Sequence, residues 1–241
     1  MRRTSGVDAG SPRAENRRVP STPPIVGLCA GALAGVLSLT PPAGQVPPLR
    51  APPTRAAVAA LAAGRLLVAA RRLPDPNFVN AVVLLADVNK DGAVGLVLNR
   101  RSSVTLARVF PQLVPTTATA SHAFLGGPVD TTRTMALIRS PQAPAGARRV
   151  LDDVHLATAR EAVEAAVAAG TGAARLRVYL GYAGWGAGQL EAETKQGVWH
   201  VLEADADIVF DAEPSSTWQR QIARTELIQA KRLPARPRPH S

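Results

Sequence analysis

A glycine-rich stretch, Gly181–Glu191, constrains the fold more than any other part of the sequence. It reads Gly-Tyr-Ala-Gly-Trp-Gly-Ala-Gly-Gln-Leu-Glu and follows Arg175–Leu180, an apolar segment typical of a buried strand. Glycines allow backbone conformations and close approaches that larger side chains exclude. We therefore predict that the strand ends at Leu180 and that the glycines turn the chain into a short helix over Gln189–Gln196, with Trp185 anchoring the corner.

The same stretch has a second interpretation, as a ligand-binding loop. Successive glycine amides can form a concave surface, and the rings of Tyr182 and Trp185 would supply the wall of a pocket. A second glycine turn, Gly126-Gly127-Pro128, would complete this site. The sequence favours the structural interpretation. It leaves open a candidate ligand pocket lined by Gly126, Gly127, Tyr182, Trp185, Gln189 and Glu191.

Apolar runs predict several strands, and one pair is a strongly indicated hairpin. Asn80–Ala86 and Ala93–Asn99 are separated by Asn-Lys-Asp-Gly, a typical hairpin turn. Further strands are predicted at Arg65–Ala70, Ala123–Leu125, Met135–Arg139, Val198–Glu203 and Asp207–Phe210. Because strands and helices alternate irregularly, the expected class is α+β, with a compact mixed or antiparallel sheet or barrel-like core and flanking helices.

Three helices are predicted around this core. One covers Leu106–Leu113 and is closed by Pro115. A second begins at Thr158, which forms a capping box with Glu161, and ends at Gly170. Its inner face is predicted to carry Val163, Ala166 and Val167. The last helix covers Ser216–Ile228 and is predicted to bury Trp218, Ile222 and Leu227. Aromatic residues make up only 4% of the chain, so Ala, Val and Leu must fill most of the core.

The sequence divides into one domain with two extensions. Residues 60–230 are the predicted domain, residues 1–59 a disordered leader rich in Arg, Ser and Pro, and residues 231–241 a basic disordered tail. Within the leader, Ile25–Leu39 is an apolar run of 15 residues, short for a membrane span but suited to a signal core. The leader has three possible roles: an export signal, a weak membrane anchor, or an extension of a cytoplasmic protein. The sequence favours the cytoplasmic location.

The net charge of +10 comes mostly from the extensions. Seven arginines and two acids precede residue 61, and four basic residues follow residue 230. Residues 61–230 carry 17 basic and 16 acidic side chains, which leaves the predicted domain nearly neutral. DNA-binding domains carry their basic face on the fold, so direct nucleic-acid binding by the domain is not expected.

No common catalytic signature is complete in this sequence. The phosphate-binding loop and the dinucleotide fingerprint are missing, and Ala183 stands where a nucleophile elbow needs serine. The four histidines are scattered, and Glu191 and Glu193 are spaced to point to different faces of a helix. Cys29 is the only cysteine, which excludes an intrachain disulfide. The catalytic residues are therefore unknown, and no metal or cofactor is predicted.

Several motifs together make the chain resemble the YqgE/AlgH family of bacterial proteins. They are LPDPNFVNAVVLL, DGAVGLVLNR, FLGGPV and GYAGWGAGQLEAE, and the resemblance extends in order from Gly64 to Ile222. It implies an α+β fold with a compact sheet or barrel-like core and a cytoplasmic location. Some family members are labelled transcriptional regulators, but the family supplies no agreed catalytic residues that could be carried over.

Three functional hypotheses follow. The first is a non-enzymatic regulatory protein that acts on transcription through an unidentified ligand or protein partner. The second is a hydrolase-like enzyme whose site combines Gly181–Glu193 with the turn Gly126–Pro128. The third is an envelope-associated role directed by Ile25–Leu39, the only segment through which membrane contact is expected. The first hypothesis is favoured, and the protein is not expected to be an enzyme.

Overall fold

The computed structural model describes residues 61–113 and 121–232. The predicted leader, the helix-closing Pro115 and the tail beyond Arg232 lie outside these described residues. The domain limits at residues 60 and 230 therefore stay predictions. Every helix within the described ranges is too short or too polar to span a lipid bilayer.

Ten strands of the described chain form a single curled sheet. In chain order they are β1 (Arg65–Ala69), β2 (Val82–Asn89), β3 (Gly92–Val97), β4 (Arg101–Thr105), β5 (His122–Leu125), β6 (Val129–Arg139), β7 (Ala147–Leu151), β8 (Val154–Ala157), β9 (Leu176–Gly186) and β10 (Trp199–Glu203). Their order across the sheet is β10-β1-β2-β3-β9-β6-β8-β7, with β5 pairing in parallel with β9 and β4 pairing with β5. Every pair except β5–β9 is antiparallel. The sheet curls into a half-barrel, which confirms the predicted α+β class.

Five helices of the described chain join or flank the strands. They are α1 (Leu106–Val109), α2 (Arg160–Ala168), α3 (Gln189–Lys195), α4 (Ala206–Val209) and α5 (Thr217–Arg232), with a 3₁₀ turn at Pro214–Ser216. The short helix predicted after the glycine stretch is confirmed as α3. In α2, Val163 and Val167 are buried and Ala166 is partly buried, as the predicted apolar face requires.

Strand β9 is the element that joins the two parts of the sheet. Its first half pairs with β6, where Leu176 faces Ile138, and its second half pairs with β3, where Gly186 faces Gly92. Between the halves lies Gly181, whose φ of 69° is a left-handed conformation that favours glycine. The strand therefore bends at Gly181 and continues.

The predicted strand end at Leu180 is wrong, because β9 extends through the glycine stretch to Gly186. Gly184 and Gly186 remain extended because they pair with β3. At Gly181 the missing side chain lets backbone approach, since a Cβ atom there would lie 2.8 Å from the carbonyl oxygens of Gly127 and Val129. The turn into α3 occurs only at Ala187 and Gly188, where Gly188 has a φ of 74°.

Two hydrophobic clusters fill the described fold, one on each side of β9. The larger contains β1, β2 and β3 together with Tyr179, Ala183 and Trp185 of β9. The smaller contains Leu176 and Val178 of β9 and the buried face of α2. In the first half of β9, Leu176 and Val178 thus point into one cluster and Tyr179 into the other, as the alternation of a strand requires. Most members are Ala, Val or Leu, as the scarcity of aromatics predicts.

The predicted hairpin is confirmed as β2 and β3. Asn89 pairs with Gly92 across the two-residue turn Lys90-Asp91. Gly92 has a φ of 140°, and a Cβ atom there would lie 2.0 Å from the carbonyl oxygen of Trp185. This glycine is therefore required by contact with β9 as well as by the turn.

Three local predictions are wrong. Thr158 does not cap α2, because the helix begins one residue later with Ala159 at its N-cap and no side-chain bond there. Residues 207–210 do not form a strand, because the Asp205 side chain accepts from the amide of Ile208 at 2.8 Å and starts α4 instead. Leu227 is 64% exposed, since nine residues place it about half a turn away from buried Trp218.

We expect Gly127→Ala to destabilise the fold strongly. A Cβ atom at Gly127 would lie 2.2 Å from the carbonyl carbon of Tyr182, so backbone would have to move. Such overpacking predicts a loss of about 3 kcal/mol in the free energy of unfolding, measured by urea denaturation. The matched control is Gly172→Ala, where an added Cβ atom meets nothing within 4 Å. Equal stability of the two variants would contradict the contact.

Candidate functional site

The structure brings the two glycine segments named by the sequence into direct contact. A Cβ atom on Gly126 would lie 2.3 Å from the carbonyl oxygen of Gly181, and the Gly126 amide donates to the Leu180 carbonyl at 2.9 Å. Gly127 packs equally closely on Tyr182. The contact is therefore backbone against backbone, which explains why glycine occupies these positions.

Beyond the glycines, one carboxylate holds two tryptophans. Glu193 Oε2 accepts from Trp185 Nε1 at 3.0 Å and from Trp199 Nε1 at 2.8 Å. Its Oε1 accepts from Gln189 Nε2 at 2.9 Å. Phe78 stacks on Trp185 with ring centroids 5.9 Å apart and meets Trp199 edge-on at 5.6 Å. We call Phe78, Trp185, Trp199 and Glu193 the indole cluster.

The indole cluster supports the interpretation of Trp185 as an anchor. Trp185 is buried in the larger core, and both oxygens of Glu193 are occupied as hydrogen-bond acceptors. These contacts favour a structural role for Glu193 over acid–base chemistry. Gln189 also accepts from the Gly186 amide at 3.1 Å and so closes the turn before α3.

The predicted pocket residues have different surroundings. Gly126 and Gly127 lie against β9, Tyr182 and Glu191 are half-buried, and Gln189 is exposed. Two cavities of the described chain are lined by other residues. A ligand pocket formed by the six residues therefore stays a prediction.

The first of these cavities lies between β4, β5, β9 and the segment after α4, and has a volume of about 260 Å³. We call it the arginine cavity. Its wall includes Arg101, His122, Phe124, Arg177, Asp211 and Pro214. Leu176 and Val178 of β9 lie behind the same wall and are buried in the smaller core.

Arg177 is the most unusual residue of this wall, because it carries a charge and yet is only 5% exposed. Its guanidinium lies 4.7 Å from the centre of the Phe124 ring, a cation–π contact. It donates to two neutral acceptors, the carbonyl oxygens of Asp211 and, at 3.4 Å, Leu98. Its Nε has no hydrogen-bond partner, and no carboxylate of the described residues forms an ion pair with it. Burial lowers the pKa of Arg177 because desolvation disfavours the charged form.

The acid on the cavity wall is already occupied. Asp211 Oδ2 accepts from Arg220 and, at 2.7 Å, from the Thr217 hydroxyl. Its Oδ1 accepts from the amide of Glu213 at 3.0 Å. The Asp211 carboxylate therefore ties the 3₁₀ turn to α5 and does not neutralise Arg177.

Arg101 and His122 form a pair at the cavity wall, with 2.9 Å between Arg101 Nη2 and His122 Nδ1. Because a guanidinium can only donate, His122 Nδ1 is the acceptor, which places the ring proton of the neutral histidine on Nε2. A second cavity of about 500 Å³ adjoins the first through Arg101, Ala212 and Pro214. It adds Arg100, and Leu125 on its wall is 44% exposed.

The sequence did not reveal the arginine cavity as a site. The available signal was Arg177 itself, a charged residue inside the apolar segment Arg175–Leu180. Charged side chains are rarely buried without a partner, so an arginine in a buried strand indicates a special local environment. The contributions of Arg101 and His122 depend on the pairing of β4 with β5, and β4 has no apolar pattern that would predict it.

Comparison with known proteins agrees with the motifs and the fold. A family model described as AlgH-like matches residues 66–228. The chain belongs to the AlgH-like family. A UPF0301 protein of Xylella fastidiosa strain M23 is 38% identical over 164 residues, covering 66% of this chain and 87% of that protein. A UPF0301 protein of Streptomyces coelicolor is 38% identical over 167 residues, covering 67% and 85%.

Two solved structures share this fold. The solution structure of AlgH from Pseudomonas aeruginosa has a TM-score of 0.58 and 35% identity, covering 72% of this chain and 94% of that one. The crystal structure of protein DIP2367 from Corynebacterium diphtheriae also has a TM-score of 0.58, with 24% identity and coverage of 68% and 87%. The second likeness concerns the fold alone. The resemblance that the motifs indicate is thus confirmed.

We expect Glu193→Ala to destabilise the protein because it leaves two buried indole N–H groups without an acceptor. Unsatisfied buried donors predict a loss of about 3 kcal/mol in the free energy of unfolding. Urea denaturation followed by tryptophan fluorescence measures it. Glu191→Ala, on the same helix, is the control and should change stability by less than about 1 kcal/mol. Similar losses in both variants would argue against the indole cluster as the anchor.

Because the Tyr179 hydroxyl is buried, we expect the protein to lose stability at alkaline pH. Its hydroxyl is fully buried without a hydrogen-bond partner, and burial raises the pKa of Tyr179 to about 12, partly opposed by Arg177. Since the folded pKa exceeds the unfolded value of about 10, this contribution is complete below pH 10 and is lost as the pH rises towards 12.

The measurement is the difference in unfolding free energy between the parent protein and Tyr179→Phe. Between pH 10 and 11 the parent should lose about 1 kcal/mol of unfolding free energy relative to Tyr179→Phe. The control is Tyr182→Phe, which removes the other tyrosine and should lose stability at alkaline pH as the parent does. A constant difference between the parent and Tyr179→Phe would rule out the titration.

Proposed function

We propose that this AlgH-like protein is a non-enzymatic regulator that acts by binding a ligand or a protein partner. The observation that carries the proposal is the arginine cavity, a concave site with a buried cation that no described carboxylate neutralises. Concave sites with a few convergent polar groups are where proteins hold small ligands. In this proposal, occupancy of the cavity changes the affinity of the protein for its partner.

The chemistry of the wall favours binding over catalysis. Arginine remains protonated in proteins, so Arg101 and Arg177 can orient and hold a group but cannot exchange protons with it. Asp211, the acid of the wall, is occupied by Arg220, Thr217 and a backbone amide. A general base is more effective when it is not already engaged, and the Asp211 carboxylate accepts three hydrogen bonds that hold the turn in place.

Regulation of transcription would then be indirect. Residues 61–230 are nearly neutral, so they lack the excess of positive charge that drives phosphate-backbone binding. The site of action in this proposal is the cytoplasm. Export or membrane association through residues 25–39 is the alternative. Fractionation of the tagged protein with and without residues 1–55 tests the location, and membrane recovery that depends on those residues would support the alternative.

A ligand screen on the full chain tests the proposal. We expect at least one member of a panel of organic acids, phosphorylated metabolites, nucleotides and their neutral analogues to raise the melting temperature and to appear as a stoichiometric complex in native mass spectrometry. Binding at about 100 times the Kd stabilises the folded state by about 2.7 kcal/mol, which is readily seen in a melting curve. A basic protein of unrelated fold is the control for nonspecific charge binding.

Two results would overturn the proposal. One is turnover of a panel compound into a new product, which would make the protein an enzyme. The other is a sequence-specific gel mobility shift of DNA by the full chain that persists at physiological salt. That result would make the protein a direct DNA-binding regulator.

A further inference from the structure

Arg177 is buried without an opposing charge, although burying an isolated cation is energetically costly. The carbonyl oxygens of Asp211 and Leu98 and the face of Phe124 supply only partial negative charge. Arg101 on the same wall is a second cation, and its only described partner is the neutral acceptor His122 Nδ1. Since the Asp211 carboxylate is occupied by Arg220 and Thr217, the wall keeps an excess of positive charge that an anion would neutralise.

We propose that the arginine cavity binds the phosphate or carboxylate group of a small metabolite. This inference rests on the proposed binding function and names the chemistry of its ligand. The fork of the Arg101 guanidinium suits either anion, since it can donate two parallel hydrogen bonds to a pair of oxygens. His122 adds a further donor at Nε2, because its Nδ1 is occupied by Arg101.

The shape of the cavity limits the size of the ligand. A volume of about 260 Å³ lies just below the usual range for drug-sized ligands, so it admits an acidic group with a short carbon skeleton. Apolar contact would come from Ala173, Ala174 and Pro214, which line the cavity and are at least partly exposed. A longer ligand would pass Arg101 into the adjoining cavity, where Arg100 and Leu125 lie on the wall. Neither cavity offers the extended basic surface that a nucleic acid requires.

Arg177 also has a structural role that must be separated from ligand binding. It connects β9 to the carbonyl groups of Leu98 and Asp211, so its removal can destabilise the fold without any effect on a ligand. Arg101 and His122 are better positions for the test. Arg101 is exposed and His122 is half-buried, and the hydrogen bond between them lies outside both hydrophobic clusters. Their substitution should therefore have little effect on folding.

The experiment measures binding of inorganic phosphate and of malonate to the full chain by isothermal titration calorimetry and by ¹H–¹⁵N NMR titration. We expect saturable binding of at least one probe, with amide shifts concentrated around Phe124 and Arg177. Arg101→Gln should weaken that binding about ten-fold, the effect of losing one charge-assisted hydrogen-bonding group. His122→Phe should weaken it as well, because it removes the Nε2 donor. Binding of phosphate alone or of malonate alone identifies the acidic group, and either result supports the proposal.

The matched control is Arg149→Gln, which removes the same charge from an exposed position of β7. Its affinity should stay within two-fold of the parent. Equal weakening by Arg101→Gln and Arg149→Gln would mean that the probes sense only the overall charge, and would overturn the proposal. Absence of saturation by about 10 mM of both probes would overturn it too, since that is weaker than millimolar affinity. If a neutral compound from the ligand screen binds while both anions fail, the anion site is refuted and the broader binding function stands.

Discussion

The close contact between the loop Gly126-Gly127 and the middle of β9 is the constraint on which the rest of the described fold depends. No side chain fits between these backbones, because a Cβ atom on either glycine would lie within 2.3 Å of β9 atoms. The contact holds the strand where it bends at Gly181 and leaves one partner strand for another. The curl of the sheet follows from this bend, since the first half of β9 pairs mainly with β6 and the second half with β3.

A fold held by close backbone contact needs few large side chains, and the composition reflects this. The cores are filled mainly by Ala, Val and Leu, and three aromatic rings, those of Phe78, Trp185 and Trp199, are grouped where β9 ends. There the indole cluster fixes the strand end to α3 and β10 through a single carboxylate, Glu193. Glycine packing therefore positions the middle of β9, and aromatic packing with hydrogen bonds positions its end.

Local patterns were sufficient for part of this fold. The hairpin of β2 and β3, the helix α3 and the apolar face of α2 follow from residues close together in sequence, as do the family motifs. The continuation of β9 beyond Leu180 did not, because the glycines stay extended only through pairing with a distant strand, β3. Arg177 was missed for a related reason. Its meaning depends on Phe124, Leu98 and Asp211, which lie far away in the chain.

The glycine stretch and the arginine cavity are two ends of one strand, and this relation connects architecture with chemistry. Arg177 and Tyr179 share a face of β9 with Ala183 and Trp185, so the same alternation that buries the tryptophan also buries the arginine. The register that holds Arg177 beside Phe124 is the pairing of β9 with β5 and β6, in which Tyr179 faces Phe124 and Arg177 faces Leu137. A slip of one residue in that pairing would exchange the two faces of the strand and turn Arg177 away from Phe124. The glycine contact follows directly after these pairs, where the Gly126 amide donates to the Leu180 carbonyl, so the glycines that resemble a binding loop close the register on which the cavity depends.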